Sequence, residues 1–182
     1  PGFARFSEKH ISNKDPNIVA YAGGYGDASS ICEFIQWFRR SDTNFKLHLF
    51  GKVSDEVLEL AGSDERICIF GFLETSDLYS RLRKYFFFVE PRNVSYQYYK
   101  FSFPSKLLFY KMFDGVIFTN AISPISPGLR DAVIDISSSY DLLKDFTSLS
   151  PRDLEVLKLR LNGNFEKEME RLYQDLIYFL DE

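Results

Sequence analysis

The segment Pro91–Asn120, PRNVSYQYYKFSFPSKLLFYKMFDGVIFTN, decides the fold, because strand-like runs bound the polar and aromatic stretch inside it. Tyr85–Val89 (YFFFV) stands just upstream and Gly115–Thr119 (GVIFT) lies near its end; both are apolar and favour extended backbone. Between them the chain leaves a strand end, winds over the surface and enters a helix. Pro104 and Ser105 mark the helix start, since serine caps free backbone N–H groups and proline is tolerated near the first turn. Lys106 then falls in the first turn, near Arg92 from the preceding strand end. Two cations and a helix N-terminus at one place suit a phosphate.

Working outward, Ile18–Ala22 reads as a buried strand ending at Gly23-Gly24. In Ser29–Arg40, Ile31, Phe34, Ile35 and Phe38 recur at helical spacing. Lys46–Phe50 reads as a strand, Asp55–Ala61 as a helix, Arg66–Phe70 as a strand and Ser76–Lys84 as a helix. Such alternation implies βαβ units with right-handed crossovers, and so an α/β fold: a Rossmann-like three-layer parallel sheet with helices on both faces. After a loop at Ser123–Gly128, Ala132–Ile136 reads as a last strand, and helical patterns follow at Tyr140–Phe146 and Pro151–Leu180, the latter broken near Asn162-Gly163. Its end is apolar for a terminus, and part of that side is expected to be poorly covered. The domain division is 1–16, a linker from a further N-terminal domain; 17–150, the Rossmann-like domain; and 151–182, C-terminal helices.

The 182 residues suffice for one domain with a core of its own. A net charge of −4 argues against nucleic-acid binding through a basic face. No apolar run has the length of a membrane span. Cys32 and Cys68 lie in apolar runs and read as reduced, buried thiols, which points to a reducing compartment. His10 and His48 belong to no metal-ligand spacing, and His48, inside a strand, reads as structural.

Pro91-Arg92, the aromatic loop, Phe101-Ser102-Phe103-Pro104-Ser105-Lys106 and Tyr110 resemble, in that order, the "PR…YSFPSK…EY…G.P" signature of bacterial glycosyltransferases of the family 4 type. Tyr21-Ala22-Gly23-Gly24, Leu49-Phe50-Gly51, and Phe70-Gly71 followed by Asp77-Leu78-Tyr79 resemble three further segments, so the likeness runs from about Asn17 to Asn120. The resemblance implies the C-terminal, nucleotide-sugar-binding half of an enzyme with two Rossmann-like domains, a B-type glycosyltransferase. It implies transfer of a sugar from a nucleotide-diphosphate donor to an acceptor glycan or lipid-linked sugar, held by the other domain, in polysaccharide or glycoconjugate synthesis. It also implies a cytoplasmic protein at the inner face of the membrane. No cofactor is expected beyond the donor itself, and no metal, because no Asp-x-Asp cluster stands in a suitable loop.

On this resemblance Arg92, Lys106, Ser105, Gly23 and Gly24 contact the donor diphosphate, while Gly71, Phe72, Phe109 and Tyr110 line the nucleoside; the catalytic residue is not assigned. The glycines would allow close backbone approach. Each assignment has a plainer alternative: solvated surface cations, a tight turn, and aromatics such as Tyr96, Tyr98, Tyr99, Phe101 and Phe103 that pack a loop onto its own domain. Phe109 stands where the family has a ribose-binding glutamate, and Phe101 where the wider superfamily has another. These departures keep a second class open, a non-catalytic nucleotide-binding module descended from a transferase. A nucleotide-sugar epimerase or dehydrogenase is disfavoured, because no G-x-G-x-x-G turn follows the first strand.

Overall fold

A computed structural model describes residues 14–24, 28–62, 64–92, 105–120, 127–136, 139–146 and 148–181, without the side chains of residues 28, 29, 127, 142 and 175–181. Six parallel strands form one sheet in the order β3-β2-β1-β4-β5-β6. They are β1 (Asp15–Ala22), β2 (Lys46–Phe50), β3 (Ile67–Gly71), β4 (Tyr85–Glu90), β5 (Val116–Thr119) and β6 (Ile134–Asp135). The described helices are α1 (Ala28–Arg40), α2 (Asp55–Ala61), α3 (Thr75–Leu82), α4 (Ser105–Lys111), α5 (Pro127–Arg130), α6 (Leu142–Phe146) and α7 (Pro151–Asp181). The chain winds from β1 outward to β3, then returns to β4 on the other side of β1 and continues to β6. The order reverses between β1 and β4, so the crevice where such sheets bind ligands lies at their carboxyl ends.

Alternation along the strands builds a core on each face. Val19, Tyr21, Leu47, Leu49, Val89 and Phe118 pack with Ile31, Phe34, Ile35 and Phe38 of α1 on one side. Ala20, Ala22, Phe50, Phe88 and Ile117 meet Leu107, Tyr110 and Phe113 on the other. All six residues of β4 are buried, as befits a central parallel strand covered on both faces. His48 is structural: its Nδ1 lies 2.9 Å from the Tyr85 hydroxyl, and its ring packs on Phe70. Cys32 and Cys68 are free thiols; Cys32 is buried as expected, whereas Cys68, on the edge strand β3, is only half-buried.

Three readings change. β1 starts at Asp15, ahead of the Ile18 expected as its first residue. Pro16 is tolerated within this central strand because the β1–β4 register shifts between Asp15 and Val19, where a missing N–H breaks no regular ladder. A short helix, α5, occupies part of the expected Ser123–Gly128 loop. Most consequentially, α7 runs unbroken through Asn162-Gly163. Leu154 and Leu161 join the core on one face of the sheet, whereas Phe165, Met169 and Leu172 pack against the other, so packing on both sides outweighs the roughly 1 kcal/mol that a mid-helix glycine costs. The apolar tip of α7 lies outside the described side chains.

Asn162 also has polar work. Its amide donates to Asp114 Oδ1 and accepts from Lys111 Nζ at 3.0 Å, while Lys158 Nζ reaches Asp114 Oδ2 at 3.0 Å and Glu155 Oε2 at 3.3 Å. Lys14 donates to the carbonyls of Phe113 and Asp114. Lys14 and Lys111 are held down to about 8, chiefly because burial disfavours the ammonium. An unfolded lysine keeps its proton to higher pH, so above about pH 8 the unfolded chain binds more protons and stability rises until roughly pH 10. We expect Lys111→Met to raise stability at pH 7 by about 1–2 kcal/mol and to flatten that alkaline rise, read by urea denaturation at pH 7 and 9.5. A loss of stability at pH 7 would show that the bond to Asn162 outweighs the burial of the charge.

Candidate anion site at the sheet switch point

Gly23 follows β1, Glu90 ends β4 and Arg92 lies two residues further on, so the ends of the two strands that flank the switch point meet here. α4, described from Ser105, carries Lys106 into the same place. Lys106 Nζ donates to the Tyr21 hydroxyl at 2.7 Å and sits 4.3 Å from the centre of the Tyr21 ring. That hydroxyl donates in turn to the Gly24 carbonyl at 3.2 Å. A Cβ at Gly23 would stand 2.5 Å from Lys106 Cε and 2.7 Å from Nζ, so the absence of a side chain is what seats the lysine. Lys106 and Gly23 thus lie against each other at the carboxyl edge of the sheet, as the strand order implies.

Between the two cations lies a residue that sequence reading passed over. Glu90 is 4% exposed, with Oε1 3.4 Å from Arg92 Nε and Oε2 3.4 Å from Lys106 Nζ. Burial pushes its carboxyl above the ordinary range, while Lys106 and then Arg92 pull it down. A carboxylate closing an otherwise apolar, fully buried strand two residues before an arginine was the available signal. β5 fixes this end of β4: Thr119 Oγ1 donates to the Glu90 carbonyl at 2.9 Å, and the Arg92 amide donates to Asn120 Oδ1 at 2.6 Å.

The remaining assignments divide. Tyr110 is fully buried, stacked on Phe88, and its hydroxyl accepts from the Ala22 N–H at 2.9 Å and donates to the Ala22 carbonyl at 3.1 Å. Its place is inside the core, where it pins the end of β1, and not open to a nucleoside. Phe109 is half-buried against Tyr79 and Phe113 and joins α4 to α3. Gly71 ends β3 at φ 68°, a conformation that favours glycine, and its carbonyl accepts from the Gly51 N–H at 2.8 Å. Phe72, beside it, is 74% exposed on the same edge of the sheet. Ser105 is exposed, and Gly24 has open space where a side chain would stand. The aromatic loop, with Tyr96, Tyr98, Tyr99, Phe101, Phe103 and Pro104, lies outside the described residues.

The Lys106–Gly23 contact yields a test of geometry. Gly23→Ala must push the ammonium aside, which its flexible stem permits at little cost to folding, so melting temperature should stay within a few degrees while affinity for a nucleoside diphosphate falls about tenfold. Unchanged affinity by calorimetry would show that Lys106 need not sit where it does.

A doubly wound parallel sheet of this strand order is a Rossmann-like architecture. No family model matches the chain, and no curated protein matches it. Among solved structures it is similar to TarM, at a TM-score of 0.58 and 14% identity over 96% of this chain and 36% of that one. It is also similar to the apo form of WaaB, a lipopolysaccharide outer core galactosyltransferase, at a TM-score of 0.49 and 13% identity over 88% of this chain and 50% of that one. The likeness to TarM is one of fold: an α/β, Rossmann-like parallel sheet with helices. The chain spans about a third of the length of TarM and half that of WaaB. Among the described residues no helix is long and apolar enough to cross a membrane.

Proposed function

We propose that the crevice binds the diphosphate of a nucleotide sugar, and that the chain is the donor-binding part of a glycosyltransferase. The observation that carries this reading is the convergence of Lys106 and Arg92, with Gly23 against the lysine, at the carboxyl ends of β1 and β4. The sugar passes to an acceptor glycan or lipid-linked sugar held by a further domain, in polysaccharide or glycoconjugate synthesis at the cytoplasmic side of a membrane. In such a transfer the bond from the sugar to the diphosphate breaks, and negative charge grows on the departing oxygen. Cations already in place stabilise that charge without reorganising, and thus act more on the transition state than on the ground state. Phe72, exposed beyond Gly71, offers an apolar face for the base. No metal is invoked in this reading.

Calorimetry of the chain against UDP, GDP, dTDP and CMP and their sugar derivatives tests it. Binding that prefers the nucleoside diphosphates over CMP supports the reading; no binding of any of them sinks it. A second reading rests on Phe109, which fills the position of the family's ribose-binding glutamate with a ring packed between α3 and α4. It is a non-catalytic nucleotide-binding module, and binding of an intact sugar nucleotide by the full-length protein without turnover would favour it.

A further inference from the structure

Among the described residues Glu90 sits between two cations that it holds only loosely. Its two contacts to cations are both 3.4 Å, longer than the roughly 2.7–2.9 Å of a well-made charge-assisted bond, and Oε2 has no donor at hydrogen-bonding geometry among the described residues. Among the described residues the charged groups that face it are Arg92 from the end of β4 and Lys106 from α4. β1 contributes the uncharged Tyr21 hydroxyl, which faces Lys106, and β5 contributes Thr119 and Asn120, which bind backbone. With Glu90 ionised, the three side chains sum to a single positive charge; with Glu90 protonated, they sum to two. A diphosphate ester brings about two negative charges of its own.

We propose that Glu90 is the internal counter-ion of this site, exchanged for the ligand: when a nucleoside diphosphate engages Lys106 and Arg92, the Glu90 carboxylate takes up a proton from solvent. The proposal rests on the diphosphate reading of the crevice. Each N–H that turns to a phosphate oxygen turns away from a carboxylate that is almost wholly buried, and a buried carboxylate that loses its cations and gains an anion as neighbour is more stable protonated. Burial raises the carboxyl in the empty site, against the pull of Lys106 and Arg92. By linkage, affinity rises as pH falls through the window between the carboxyl's position in the free and in the liganded protein, by up to tenfold per pH unit. Above that window both states are ionised and the affinity is at its lowest.

Sugar nucleotides are the right probes, because their diphosphate is a diester and lacks the terminal phosphate ionisation near pH 6 that free nucleoside diphosphates have. Titration of the chain with UDP-glucose, GDP-mannose and dTDP-glucose, in two buffers of different ionisation enthalpy between about pH 5.5 and 8, reads proton uptake directly. The expected result is net uptake approaching one proton per bound ligand in part of that range. In Glu90→Gln the uptake disappears, and at the alkaline end the variant binds about tenfold more tightly than the wild type, because the Glu90 charge no longer competes with the ligand for Lys106 and Arg92. Binding by the wild type without uptake at any pH overturns the proposal and leaves the diphosphate site standing, as does an equal pH slope in wild type and Glu90→Gln. No binding of any of the three probes overturns both. If Glu90→Gln does not fold, the buffer dependence of the wild type decides alone.

Discussion

Truncating Lys106 or Arg92 to alanine is expected to weaken binding of a nucleoside diphosphate about 10- to 150-fold, the loss of charge-assisted hydrogen bonds worth roughly 1.5–3 kcal/mol. Solvent-exposed cations would leave stability untouched. Here they are not solvent-exposed in that sense: Arg92 is 8% exposed, and the Lys106 side chain covers a buried carboxylate. Removing either leaves Glu90 short of a partner in the interior, so the variants should also lose about 2–4 kcal/mol at pH 7. In the variants the carboxyl is raised further in the folded state than in the unfolded chain. The folded form then binds more protons in that window, so the lost stability returns as pH falls and Glu90 becomes neutral. Glu90→Gln in the same background should recover most of the stability but not the binding at neutral pH. Urea denaturation at pH 5 and 7 with calorimetry separates the two effects. Affinity equal to wild type in both alanine variants would end the phosphate-site assignment, and equal stability would show that Glu90 is already neutral in the empty protein.

How much of this was legible follows from the physics of each residue. β4 was readable because a strand buried on both faces must be apolar throughout, and Tyr85–Val89 is. Lys46–Phe50 and Asp55–Ala61 were readable to the residue, the latter because Ser54 caps its helix through the Val57 N–H. Lys106 and Gly23 were readable as neighbours because parallel strands put their following loops on one edge. Glu90 was not, because a single charged residue at a strand end looks like a boundary and its partners come from two other segments. Tyr110 was misplaced because the resemblance alone put it at the nucleoside, and only the packing of α4 turns its hydroxyl onto the Ala22 backbone. Asn162-Gly163 read as a helix break on local propensity, and contacts with Asp114 and Lys111, about fifty positions away, overrode it.

Gly115→Ala is the substitution expected to damage the fold most for its size, and the reason ties the core to the crevice. An added Cβ would meet the Phe88 ring, with Cδ2 at 2.5 Å and Cε2 nearer, and the Phe86 carbonyl at 3.1 Å. Unlike the lysine stem beside Gly23, neither neighbour can swing away. Phe88 is fully buried and lies flat on Tyr110, ring centres 4.8 Å apart, and the carbonyl belongs to the central strand. Relief requires Phe88 to leave its position and Tyr110 to follow, which loosens the two hydrogen bonds that hold Ala22, the residue before Gly23. Overpacking of this kind costs about 3 kcal/mol, or roughly 6–12 °C in melting temperature for a chain of this length. Affinity for a nucleoside diphosphate should fall in the molecules that remain folded, since the end of β1 and the lysine share one support. Phe88→Leu should be destabilising alone but less so in the Gly115→Ala background, because the smaller side chain vacates the space the new methyl needs. A double-mutant cycle by denaturant unfolding measures that coupling; a sum of the two single effects with no coupling would show that the clash is absorbed elsewhere than at Phe88.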